Sequence, residues 1–142
     1  MDTYAFEFPV PDNLLPRMTP DNAPYWQAAA RDQLVMPHCE GCGRAFFPLS
    51  PRCPGCLSDR ITFNPVVHEG RISSWVRYRK SYYPWTEGVT PYVVALLDIV
   101  PGVRLPMLMH PAPQGDPEIG GKVKITFLAV GNNQKLPVCS AV

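Results

Sequence analysis

The sequence predicts a mostly β protein in which an N-terminal helix leads into a four-cysteine ribbon and then a five-stranded barrel. Three observations carry that prediction. Two Cys-x-x-Cys pairs, Cys39/Cys42 and Cys53/Cys56, stand ten residues apart. Only residues 21–35 have good helical periodicity, whereas the chain from Ile61 onward alternates with the period of a strand. Prolines number 18 in 142 residues, more than twice the usual share of about 5%, which disfavours long helices.

Residues 1–20 hold Pro9, Pro11, Pro16 and Pro20 among Tyr4, Phe6, Phe8, Leu14 and Leu15. The prolines exclude a helix, and the aromatics are too many for a solvated tail. The segment reads either as a strap on its own domain or as an arm for a partner. The helix follows. Asp21 or Asn22 can cap it, Pro24 suits its first turn and Ala28–Ala30 propagate it. Trp26, Ala30 and Leu34, flanked by Tyr25 and Ala29, form an apolar stripe, and Pro37 is expected to stop the helix.

At the cysteines, a Cys-x-x-Cys turn brings two sulfurs to one side of a tight loop, helped by Gly41, Gly43 and Gly55. Four thiolates with no vacant position describe a closed, structural Zn²⁺ site at Cys39, Cys42, Cys53 and Cys56. Iron in a four-cysteine site and two disulfides are the alternatives. The paired knuckles and the absence of an opening secretory signal weigh against disulfides. Residues 35–38 and 45–47 flank the first knuckle as short strands. Phe46 and Phe47 are expected to cover the metal and join it to the next domain, with His38 at the surface rather than among the ligands.

The remaining strands are read in turn. Gly70–Lys80 puts Ile72, Ser74, Val76 and Tyr78 on one face and Ser73, Trp75, Arg77 and Arg79 on the other. Residues 91–99 are apolar on both faces until Asp98 and predict a central strand. Pro101-Gly102 turns into residues 103–109, where Pro106 suggests an edge or a bulge. Residues 111–121 read as a loop, with at most one helical turn. Residues 122–130 alternate, with Val123, Ile125, Phe127 and Ala129 inward, and residues 131–133 turn into a last strand from Lys135 to about Ser140. Five strands with a loop between the third and fourth match an OB-type barrel. The expected division is 1–36 for the arm and helix, 37–61 for the ribbon and 62–142 for the OB-fold domain.

The overall charge of +1 argues against binding driven by phosphate neutralisation, although residues 1–40 are acidic and the rest of the chain is basic. No apolar run approaches the ~20 residues of a membrane span. The reduced-cysteine pattern predicts a cytoplasmic setting. Between the first two barrel strands lie Arg77, Arg79, Lys80, Tyr82, Tyr83 and Trp85, with no acid before Glu87. Arginine and lysine suit a nucleotide phosphate and the aromatics suit an adenine or a partner surface; a solvated basic strand is the plainer reading. Cys139 reads as a small apolar residue, and His68 and His110 suggest no dyad.

Taken in order, Tyr25-Trp26, Cys39 to Pro48, Cys53 to Cys56, Gly70 to Trp75, Pro91 to Leu96, Gly102 to Leu105 and Gly121 to Val123 resemble the zinc-ribbon plus OB-fold proteins associated with acyl-CoA enzymes, with a ribbon of the rubredoxin-like type. The match covers nearly everything after residue 20. It departs at Leu57, where relatives often carry glycine; the expected effect is confined to the loop. The resemblance implies a partner subunit of a thiolase-superfamily protein, non-catalytic alone, that bridges subunits and helps to line an acyl-CoA channel. The partner enzyme would be a thiolase, acyltransferase or aldolase, with a CoA ester as the shared ligand. The competing reading is RNA or single-stranded DNA binding, with the aromatic and basic residues at 75–85 as a stacking platform. Electron transfer through iron would leave the barrel without a role.

Overall fold

The computed structural model describes residues 10–142, apart from the side chain of Trp85. Tyr4, Phe6 and Phe8 therefore lie outside the described residues. The chain runs through one 3₁₀ turn at Asp12–Leu14, then α1 (Ala23–Ala30), β1 (Val35–Cys39), β2 (Ile61–Pro65), β3 (Glu69–Tyr78), a second 3₁₀ turn at Pro84–Thr86, β4 (Tyr92–Val100), β5 (Val103–Met109), β6 (Lys122–Gly131) and β7 (Gln134–Ala141). Strands β3-β4-β5-β7-β6 close into a barrel, and β1 and β2 form a separate two-stranded sheet. This is the mostly β fold expected, in the strand order of an OB barrel.

The arm packs as a strap where it is described. Leu15 is buried, and the Gln134 side-chain amide donates to the Pro16 carbonyl at 2.7 Å. The helix is shorter than expected. It ends at Ala30, because Asp32 adopts a left-handed conformation (φ 62°) and Arg31 N–H bonds back to Ala28. Pro37 therefore does not stop it; it lies buried inside β1. Of the expected stripe, Tyr25 and Ala29 are buried in the helix, joined by Ala28; Trp26 and Ala30 are only partly buried, and Leu34 is buried beyond the end of the helix. The packing of α1 against β7 and β1 centres the buried face on Tyr25, Ala28 and Ala29. Asn22 sits at the cap but makes no side-chain cap; its Oδ1 instead accepts from Thr19 N–H at 2.7 Å.

The second strand of the ribbon is also not where the sequence placed it. Residues 45–47 contribute only the single bridge between His38 and Ala45, while β1 pairs antiparallel with β2 from Val35↔Pro65 to Cys39↔Ile61. Ribbon and barrel are tied through Leu34, whose N–H donates to His68 Nε2 at 3.2 Å and whose carbonyl accepts from Val66 at 3.0 Å. Leu34, Val35 and Met36 share one core with the inward residues of the barrel, among them Ile72, Val93, Leu97, Leu105 and Ile125.

Two strands change phase. In β3, Ile72 pairs with Leu97 and Ser74 with Leu96, so Ser73 is an extra residue. This bulge moves Trp75 and Arg77 to the inner side and Ser74, Val76 and Tyr78 to the outer one, so Ile72 and Val76 do not share a face. In β6, Val123 and Ile125 are buried as expected, but beyond Phe127 it is Leu128 and Val130 that are buried while Ala129 is exposed. That strand pairs with β3 only over residues 122–124, and Leu15 of the arm packs beside Gly131 at its far end. β4 is central, as its two apolar faces require. Pro106 lies where β5 has β4 alone as neighbour, since β5 meets β7 only at Leu108 and Met109. Residues 111–121 form turns without helix, and Asn132 and Asn133, both at positive φ, turn β6 into β7.

Candidate metal centre and interaction face

The two knuckles are near copies of one another. In the first, Cys39 N–H donates to Arg44 O and Gly43 N–H to Cys39 O, both at 2.8 Å. In the second, Cys53 N–H donates to Ser58 O and Leu57 N–H to Cys53 O, both at 2.9 Å. Gly43 has φ 79° and Leu57, its counterpart, φ 64°. The turn therefore needs a left-handed residue at each of these positions, and only the first supplies glycine.

These turns bring all four sulfurs within 4.8 Å of one another. Cys39 and Cys56 stand 3.5 Å apart, and Cys42 and Cys53 stand 3.7 Å apart. Sulfurs bound at about 2.3 Å round a tetrahedral ion are separated by about 3.8 Å, so the cage has the size a zinc ion requires. Backbone N–H groups of Gly41 and Gly55 each point at a sulfur, Cys39 and Cys53 respectively, at 3.3 Å. The Cys56 N–H and then burial, opposing it, act on Cys53, whose thiol is pulled down to about 6. Cys39 is also lowered: its burial is outweighed by N–H groups and neighbouring thiols. At Cys42 the Arg44 N–H lowers the value, but burial and the three surrounding sulfurs push the thiol up to about 11. Four sulfurs so close cannot all ionise without a cation among them, and a divalent ion removes that conflict. The donor set thus fits zinc. Bound there, the ion would cross-link residues 39–56 and offer no open position to a substrate.

Phe46 is buried with Cys39 and Cys53 and covers the site, with Ile61 packed beside them. Phe47 packs on the main core, 6.3 Å from the Tyr25 ring, and makes the joint. His38 is half-buried rather than a surface residue, with Nδ1 3.4 Å from Glu40 Oε1, and is outside the sulfur cluster. Thr62 donates to that same carboxylate at 2.8 Å and, with His38, holds it below its usual range. Burial pushes the Cys139 thiol up to about 12, which leaves it protonated and inert.

The basic and aromatic residues between β3 and β4 are divided. Arg77 is committed to the fold: it donates to Asp116 Oδ1 at 2.8 Å and to Gly115 O at 2.7 Å, with its guanidinium 5.2 Å from the centre of the Trp75 ring. Arg79 and Lys80 are exposed, and among the described residues no carboxylate pairs with either. Lys80 Nζ lies 5.2 Å over the Tyr82 ring. Tyr82 and Tyr83 are more than half exposed, and Trp85 occupies the 3₁₀ turn. Sequence reasoning missed what fixes this loop. Thr86 is buried and its hydroxyl lies 2.6 Å from that of Ser81 while donating to Tyr83 O at 2.7 Å. Two hydroxyl residues bracketing Pro84 were the available signal.

Sequence reasoning also missed the outer face beside the loop. Val76, Val94 and Leu108 form one cross-strand row of β3-β4-β5, Ser74, Leu96 and Pro106 the next, and Tyr78 stacks on Tyr92 with ring centres 5.0 Å apart. Burial first, then the phenols of Tyr78 and Tyr83, raise the Tyr92 phenol, so these three aromatics neighbour one another. Val76 is 52% exposed. The face is bounded by a charged row in which Arg104 donates to Asp98 at 2.7 Å. A β-strand normally turns polar residues to water on its outer side, so an apolar outer face bounded by charge is the form of an interaction surface.

Comparison with known proteins places the molecule. The rubredoxin-like zinc ribbon domain of ChsH2 matches residues 26–62. A probable enoyl-CoA hydratase alpha subunit of Thermomonospora curvata is 30% identical over 123 residues, which cover 87% of this chain. The chain spans 38% of the length of that relative. Among solved structures, an Ltp2-ChsH2(DUF35) aldolase chain superposes with a TM-score of 0.78 at 29% identity, over 89% of this chain and 98% of that one. A DUF35-family protein of unknown function from Sulfolobus solfataricus shares the fold, with a TM-score of 0.60 at 19% identity over 88% and 87% of the two chains. No described helix is long and apolar enough to cross a membrane. The chain thus joins a ribbon similar to the rubredoxin-like zinc ribbon domain of ChsH2, over residues 26–62, to a five-stranded barrel, and it shares this fold with the two solved structures.

Proposed function

We propose that this chain is a non-catalytic accessory subunit of a thiolase-like acyl-CoA enzyme, with the apolar outer face of β3-β4-β5 as its docking surface. The observation that carries the reading is that face, with Val76, Tyr78, Tyr92, Val94, Leu96 and Leu108 turned away from the core. Its relatives add support, one being named as an aldolase assembly of two components and another as a hydratase subunit. Among the described residues the sulfur cage is closed and the Cys139 thiol is buried, and in this reading the reacting groups belong to the partner. Arg79 and Lys80, beside Tyr82 and Tyr83, are the groups that would meet the phosphates and adenine of a CoA ester at the rim of the shared site, while Arg77 holds the neighbouring loop. The setting in this reading is the cytoplasm.

The first experiment is co-purification of the tagged chain from its native host. A thiolase-like protein recovered in comparable amount is the expected result; RNA or single-stranded DNA in its place would support nucleic-acid binding. Val76→Glu puts a charge on the exposed β3 side of the face and is expected to weaken the complex roughly tenfold or more while leaving the fold intact. Unchanged recovery of the partner would move the docking surface elsewhere. In the reconstituted complex Arg79→Glu should raise the apparent KM for acyl-CoA, and an unaltered KM would remove that residue from the CoA path.

A further inference from the structure

A separate concavity lies on the outside of the barrel where β6, β7 and the end of β5 meet, with a cavity volume of about 280 Å³. Val138 and Leu128, both almost completely buried, and Phe127 and Pro111 supply its apolar lining. Lys124, Thr126, Ser140 and His110 supply the polar part. The register explains the convergence. Lys124 pairs with Ser140 and Thr126 with Val138 across β6-β7, and His110 N–H donates to Cys139 O at 2.9 Å, which fastens the end of β5 beside them. No carboxylate is among the lining residues. Glu69, opposite Lys124 in the β3-β6 register, is instead paired with Lys122 at 3.4 Å. Burial lowers the pKa of His110, so near neutral pH its imidazole adds polarity without a second positive charge.

We infer that this pocket binds a small carboxylate with a short hydrocarbon body, the carboxylate meeting Lys124 and the hydroxyls of Thr126 and Ser140 and the hydrocarbon lying on Val138, Leu128 and Phe127. One ammonium and two hydroxyls suit a monoanion. A phosphate dianion would be better served by several cations or an arginine fork, which the lining lacks. The volume is at the lower end for ligand pockets and so selects a small molecule. The apolar floor requires a ligand with a body, not a bare inorganic ion. The pocket adjoins the proposed docking face, since Val138 pairs with Leu108 across β5-β7, but its polar groups come from β6, β7 and His110, and the inference stands whichever partner that face takes.

The test is a titration of the zinc-loaded full-length chain, followed by amide chemical shifts, with octanoate, octanol and inorganic phosphate as three separate probes. Octanoate is expected to move the amides of Lys124, Thr126 and Ser140 saturably, with octanol and phosphate each weaker by about tenfold or more. Lys124→Met, at an exposed position, should reduce octanoate binding by a similar factor and leave octanol unchanged. Equal binding of octanol would overturn the carboxylate role. Phosphate binding as tightly as octanoate would make this an inorganic anion site. Shifts that are absent, or scattered without saturation, would overturn the pocket itself.

Discussion

Leu57 is where one residue carries a cost that its counterpart avoids. Its left-handed φ of 64° repeats that of Gly43, yet a leucine there brings its Cβ toward the carbonyl and loses about 1–2 kcal/mol. Two-thirds of the side chain is exposed, so little packing offsets the strain. Leu57→Gly removes it, at an entropic cost of about 0.5–1 kcal/mol in the unfolded chain. The expected net gain is about 0.5–1 kcal/mol, read from denaturant unfolding of the zinc-loaded protein. A loss of stability would mean that the exposed leucine makes contacts that matter. The physical content of the departure noted from the sequence is a backbone angle.

At the scale of elements, the loop from residue 111 to 121 depends on Arg77. Its fork holds two acceptors of that loop, Asp116 Oδ1 and Gly115 O, and Arg71 adds a bond of 3.1 Å to Gly120 O. Arg77→Ala should raise amide exchange across residues 113–120 and cost about 1 kcal/mol, a modest figure because Asp116 is largely exposed and screened. Arg77→Lys should not restore protection, since a point charge cannot hold both acceptors. Exchange unchanged in the alanine variant would show that the loop is held by other means. None of this was legible from the run of cations, in which Arg77 and Arg79 look alike. The same limit explains the phase changes. Alternation located the barrel strands because each has at least one buried face, but it assumes that the face stays the same. An extra residue at Ser73 and a second cover near Gly131 break that assumption without altering composition. The grouping of the four cysteines was legible, because the pairs sit within tight turns whose local geometry needs no distant partner. The centre of the helical stripe and the second ribbon strand were not, because they depend on β7 and on a strand more than twenty residues away.

The molecule as a whole is neither two independent domains nor one uniform core. The root of the ribbon, Leu34 to Met36, belongs to the same core as the barrel, whereas its tip has only Cys39, Phe46 and Cys53 with Ile61 beside them. So small a cluster cannot order residues 39–60 by burial, and a four-cysteine zinc site contributes on the order of 10–16 kcal/mol in small peptides. Removing zinc should therefore unfold the tip and stop near the root. A chelator, or Cys42→Ser, is expected to abolish amide protection over residues 39–60 while β4 and β5 keep theirs, because their inward residues remain packed with Leu34 and Met36. Partner recovery should fall in the same samples if the ribbon helps to orient the docking face. Should β4 and β5 lose protection together with the tip, root and barrel form a single cooperative unit that the metal holds. Should the tip stay protected without metal, hydrogen bonds of the two knuckles alone would suffice, and the zinc would be a bound ion rather than the reason the ribbon folds.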